Sequence, residues 1–150
     1  MTPRPRKARR AGDASIREAA SLAATEAVDR RGSDVVLLDL RGLTAATDFF
    51  VIASGESDVQ VKAIANNVER RIEEEKDLRP WHVEGLGNAR WVLLDYVDFV
   101  VHVFHGEARE YYDLERLWGD APAERFDGDG EGPAPGEAGE ADGTGEGGSG

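Results

Sequence analysis

A chain of 150 residues is one domain's worth, and the absence of cysteine excludes a disulfide framework, a thiolate nucleophile and a cysteine-ligated zinc site. The net charge of −12 argues against charge-driven binding of nucleic acid and suits a basic protein partner. No apolar run approaches the roughly 20 residues that a membrane-spanning helix needs.

In chain order, MTPRPRKARR carries five basic groups and no acid, and no apolar segment follows it. It does not read as a secretory signal. Residues 1–13 are expected to be a basic disordered arm of a cytoplasmic protein. Ala14–Arg31 places Ile16, Ala20, Ala23 and Ala27 on one stripe, the mark of an amphipathic helix, and Gly32 ends it. Asp34–Leu40 and Asp48–Ser54 are apolar, β-branched runs that read as strands buried on both faces. Gly55-Glu-Ser-Asp58 is a turn, with Ser57 the expected N-cap of a helix from Val59 to Lys76. Val61, Ile64, Ala65, Val68 and Ile72 form the buried stripe of that helix. Pro80 stops any continuation, Trp81–Val83 is a short strand candidate, and Glu84–Asn88 is a glycine-containing loop.

Trp91–Leu94 and Phe99–Phe104 are two further strands joined through Asp95-Tyr-Val-Asp98. The apolar period then changes. Ala108, Tyr111, Leu114, Leu117 and Trp118 recur every three or four residues, so Glu107–Trp118 reads as a helix packing these residues on the core. The order α-β-β-α-β-β-β-α gives an α/β or α+β layered domain with a mixed sheet, over residues 14–121. From Pro122 to Gly150 the chain is dominated by Gly, Glu, Asp, Pro and Ala, with seven acids and no base after Phe126. Such a segment cannot bury enough apolar surface to offset its ordering entropy, so an acidic disordered tail is expected.

Within the first hairpin strand, Trp91, Leu93 and Asp95 share one face, and Val92, Leu94 and Tyr96 share the other. A Trp and a carboxylate on one face suit an accessible surface, and an aromatic anchor with an acidic rim is what a protein-docking patch looks like. The alternative is that Trp91 packs under a loop while Asp95 makes a turn. Residue chemistry alone leaves both open.

WVLLDYVD over Trp91–Asp98, VHVF over Val101–Phe104, and the Arg109, Tyr112, Leu114, Glu115, Leu117, Trp118 set together resemble the Iojap family of ribosomal silencing factors. The likeness continues through Asp34–Ser57 and HVEG over His82–Gly85, and covers roughly Ile16–Trp118. It implies a five-stranded mixed sheet of nucleotidyltransferase-like topology and a non-enzymatic regulator of translation without cofactor or metal. It also implies binding to the large ribosomal subunit through its ribosomal protein fourteen, blocking the small subunit under nutrient limitation. The family motif places the partner-binding patch on Trp91, Asp95 and Asp98, flanked by Tyr96, with Glu84 and Asp48 as further acids. An apolar patch around Trp91 also suits a homodimer when the protein is free. One departure is Val97, where the family usually has Gly. A β-branched residue disfavours positive φ, so the connection is expected not to need glycine there.

The alternative is a metal-dependent nucleotidyltransferase-like enzyme. Ser54-Gly-Glu-Ser57 superficially resembles a phosphate-contacting turn before a helix N-terminus. No D-x-D pair opens the next strand to hold metals. His102 and His105 fall on opposite faces of a strand and make a poor metal pair. No nucleophile elbow, P-loop or dinucleotide fingerprint is present.

Overall fold

Two apolar periods build two layers. In the computed structural model, which describes residues 13–127, helices α1 (Asp13–Asp29) and α2 (Asp58–Lys76) lie together on one side of a sheet. The α1 stripe Ile16, Ala20, Ala23 and Ala27 is buried. The α2 stripe from Val61 to Ile72 is buried as well. Ser57 caps α2, its hydroxyl accepting the Gln60 N–H at 3.1 Å, so the local start signal is used as the sequence expects.

Among the described residues the sheet is mixed and has six strands, not five. Its order is β3 (His82–Glu84), β4 (Trp91–Asp95), β5 (Phe99–His105), β2 (Phe49–Gly55), β1 (Ser33–Asp39) and β6 (Ala123–Phe126). Strands β2 and β5 are parallel and every other pair is antiparallel. The added strand β6 falls past the boundary expected at residue 121. It pairs with β1 from Val35↔Phe126 to Leu38↔Ala123, covering an edge that would otherwise be open. A four-residue strand reading Ala-Glu-Arg-Phe carries too little alternation to stand out from a polar tail. Residues 1–12 of the expected arm, and the tail from residue 128 onward, lie outside the described residues.

The sheet's two faces are treated unequally. Val35, Leu37, Phe49, Val51, Val101 and Val103 pack under α1 and α2. On the other face Val36, Leu38, Leu40, Ile52 and Phe104 are covered, among the described residues, by the short helices α3 (Gly106–Tyr112) and α4 (Leu114–Leu117) with Trp118 and Ala121. These replace the single helix expected from Glu107 to Trp118. The break is at Asp113, held at φ 49°, a left-handed conformation that Asp tolerates. The turn lets Arg109 reach Glu115 through Nε at 3.1 Å and Nη2 at 2.8 Å, a pairing that one straight helix would not make. It also sends Leu117 outward. Ala108, Leu114 and Trp118 pack on the sheet as expected, but Tyr111 is 82% exposed and Leu117 is 72% exposed. Their expected core role is therefore corrected.

The β4–β5 connection differs too. Val97 has φ +73°, the conformation that its branching was expected to exclude. The Asp98 N–H donates to the Tyr96 carbonyl at 2.8 Å across it, and the Tyr96 N–H donates to the Phe99 carbonyl at 2.9 Å. The Asp95 carboxylate accepts the Val97 N–H at 2.8 Å and holds the turn closed. A β-branched residue at positive φ costs about 1–3 kcal/mol, and glycine returns part of that as unfolded-chain entropy. Val97→Gly should therefore raise stability by about 1 kcal/mol, read as a higher urea midpoint at unchanged slope. A lower midpoint would mean that the valine side chain packs well enough to outweigh the strain.

Candidate protein-docking face

The partly covered face carries Trp91, Asp95 and Glu84 of the residues that the sequence singles out. Register sets Trp91 opposite Phe104, Leu93 opposite His102 and Asp95 opposite Val100. Edge strand β3 adds Glu84 beside Leu93 and His82 beside Asp95. The alternation read from the sequence is therefore correct: Trp91, Leu93 and Asp95 share one face. The approach of β3 to β4 depends on Gly85, at φ +91°, where a Cβ would overlap the Trp91 carbonyl oxygen.

Trp91 is half-buried, between the accessible and the packed reading. Its ring stacks on Phe104 at 4.9 Å and meets Tyr112 at 4.6 Å. Its indole N–H donates to His102 Nδ1 at 3.0 Å. Indole only donates, so Nδ1 must accept, which makes His102 neutral with its proton on Nε2. The environment agrees: burial drives the His102 pKa down to about 3, against a smaller upward pull from the Asp95 carboxylate. Nε2 of His102 and the hydroxyl of Thr47 have no protein partner among the described residues. Both residues border a cleft of about 220 Å³ that Phe50, Leu93 and Trp118 also line.

The other predicted residues separate. Asp95 is 7% exposed, so its expected accessibility is corrected; its carboxylate serves the hairpin turn instead. Asp48 is buried at the foot of β2, where its backbone N–H donates to the Asp98 carbonyl at 2.9 Å. Tyr96 lies on the opposite, helix-covered side and stacks on Phe99 at 4.6 Å. Burial pushes its phenol pKa up, with Glu69 and Glu73 adding to the shift. Asp98 is half-buried. Glu84 is exposed, with an oxygen 2.8 Å from His82 Nε2. Of the six, Trp91, Asp98 and Glu84 keep solvent-facing surface.

Sequence reasoning did not single out Phe50, Leu93 and Tyr112, which border the same surface. The signals were present. Leu93 alternates with Trp91, and Tyr112 stands four residues after the buried Ala108.

The elements of the enzyme reading have structural employment here. The Ser54 hydroxyl accepts a hydrogen bond from Arg109 Nη1 at 3.0 Å, and Ser57 caps α2. Among the described residues no group of three or more His, Cys, Asp or Glu gathers to hold a metal ion. No helix among them is long and apolar enough to cross a membrane.

Comparison with known proteins identifies the family. The family model for "ribosomal silencing factor during starvation" matches residues 13–146. The ribosomal silencing factor RsfS of Bacillus subtilis is 44% identical over 106 residues, covering 71% of this chain and 89% of the relative. The crystal structure of a Chromobacterium violaceum protein superposes with a TM-score of 0.66 at 39% identity, over 69% of this chain and 86% of that one. A Bacillus halodurans structure gives a TM-score of 0.61 at 40% identity, over 71% of this chain and 96% of that one. With the family model spanning most of the chain and the solved relatives sharing its fold, the protein belongs to the RsfS family of ribosomal silencing factors.

Proposed function

We propose that this protein binds the large ribosomal subunit through its ribosomal protein fourteen, blocks the small subunit from joining, and so lowers translation when nutrients are limiting. The observation that carries the reading is the unequal cover of the sheet. One face is sealed by two long helices, while the other is left partly open around a half-buried Trp in an acidic chain. A rigid sheet presenting an aromatic anchor is what a steric blocker needs. The mechanism requires no bond to be made or broken, so neither catalysis, metal nor cofactor enters it, and it operates in the cytoplasm where subunits meet.

The acids still at the surface are the steering groups. Glu84 and Asp98 flank the hairpin and are placed to meet basic side chains of the ribosomal partner. Rim charges act mainly on association and are screened by salt. The Glu84→Gln, Asp98→Asn double variant should therefore bind the large subunit a few-fold more weakly at low salt, a loss of about 1 kcal/mol. The difference from wild type should vanish as ionic strength rises, measured by sedimentation at several salt concentrations. A deficit that persists at high salt would assign these residues to turn structure, not steering.

The test of the reading itself is sedimentation of the purified full chain with isolated large and small subunits. Co-migration with the large subunit alone, together with fewer joined ribosomes when the small subunit is then added, is the expected result. Co-migration with neither subunit, or with both equally, would sink it.

A further inference from the structure

The surface around Trp91 does not stop at the hairpin. A chain of ring contacts crosses the partly covered face. Tyr111 meets Tyr112 at 5.0 Å, Tyr112 meets Trp91 at 4.6 Å, and Trp91 meets His102 at 5.9 Å. His102 then meets Phe50 at 4.4 Å, and Phe50 meets Trp118 at 6.1 Å. Tyr111 and Tyr112 are exposed, His102 is buried, and Trp91, Phe50 and Trp118 are half-buried. Tyr111 marks one end. At the other, Leu117 and the 44% exposed Leu43 line a cleft of about 390 Å³ with Trp118. Single exposed apolar residues are ordinary, but large ones placed at both ends of one continuous aromatic band form a patch of the kind that partners cover.

The rim of the patch states what kind of partner. Residues 106–120 hold five acids and two arginines. One of those arginines, Arg109, is buried and tied to Glu115. An anionic membrane surface would be repelled by this rim. A second copy docked face to face would set acids against acids.

Resting on the function proposed above, we infer that the α3–α4 segment is a second contact lobe, in which Tyr111 and the Leu43–Leu117 cleft take apolar side chains of a basic segment of the ribosomal protein. The hairpin alone is then half of the docking surface. A loop-broken helix with two exposed large apolar side chains has a role in this arrangement that core packing does not give it.

The test uses the full chain and isolated large subunits. The Tyr111→Ala, Leu117→Ala double variant should keep the wild-type thermal midpoint, because both side chains are already in solvent, while binding the subunit at least tenfold more weakly. The Glu107→Lys, Glu110→Lys double variant should also bind more weakly. Binding by the alanine variant at wild-type strength, with binding by Trp91→Ala lost, would confine docking to the hairpin and overturn the inference while the functional reading stood. Tighter binding by the lysine variant would overturn the basic partner. Concentration-dependent self-association that the alanine variant abolishes, with subunit binding untouched, would make the patch a dimer face and overturn the inference as well. Failure of the wild-type chain to bind the subunit at all would remove the functional reading and this inference with it.

Discussion

Trp91→Ala is expected to abolish co-sedimentation with the large subunit and to cost the free protein about 3 kcal/mol. The first effect follows from position. Trp91 is the large aromatic at the centre of the docking band, and truncating such an anchor typically costs about 2 kcal/mol or more of binding free energy. The second follows from what the ring touches. Truncation removes stacking on Phe104 and Tyr112 and leaves the buried His102 Nδ1 without its donor. Large-to-small aromatic substitutions in cores cost about 3–5 kcal/mol, and half-burial places this one near the lower end. The sequence alone leaves open whether Trp91 faces an accessible surface or packs under a loop. The geometry instead gives Trp91 two roles, which a second variant can separate. Trp91→Phe keeps most of the stacked area and loses the indole N–H, so it should cost about 1 kcal/mol of stability. Urea midpoints and subunit sedimentation are read on both variants. Should Trp91→Phe be as unstable as Trp91→Ala, the hydrogen bond and not the stacking would hold this corner. Should Trp91→Ala fold normally and still bind, the anchor is elsewhere.

What could be read from sequence divides along physical lines. Strands β1, β2 and β5 and helix α2 announce themselves because long apolar periodicity leaves one reading, and Ser57 is legible because N-cap chemistry is local. The facing of Trp91, Leu93 and Asp95 also follows from pleat alone. Accessibility does not. Asp95 looks like a surface charge until its carboxylate is seen accepting the Val97 N–H two residues on, a local bond that lets a buried acid be satisfied by its own turn. The family resemblance groups Tyr96 with the patch, yet alternation sets it with Val92 and Leu94 on the far side, where the fold places it. The break at Asp113 and the positive φ of Val97 are both conformations that the residue type only tolerates, so no local signal announces them. Strand β6 needs an edge to pair with, and that edge exists only in the folded sheet.

Acid should destabilise this protein well above the pH at which most carboxylates titrate, and His102 is the reason. In the unfolded chain a histidine takes up a proton near pH 6.5. In the folded protein burial holds His102 neutral down to about 3. Between those values the unfolded state binds a proton that the folded state refuses, so stability is complete above about 6.5 and falls as pH drops toward 3. By pH 4.5 the loss is about 3 kcal/mol, at about 1.4 kcal/mol per unit once the unfolded histidine is fully charged. The measurement is the urea midpoint of wild type and His102→Phe at half-unit steps from pH 7.5 to 4.5. The variant should be less stable at pH 7, because the Trp91 indole N–H loses its acceptor, yet flatter across the window, so the two curves converge as pH falls. Parallel curves would assign the acid sensitivity to another group. The same geometry governs binding. Because His102 stays neutral and accepting down to about pH 3, the Trp91 indole keeps one orientation. Subunit affinity should therefore be level between pH 8 and 6.5 even though the anchor leans on a histidine. A titration inside that range would require a proton on Nδ1, which the indole N–H already occupies.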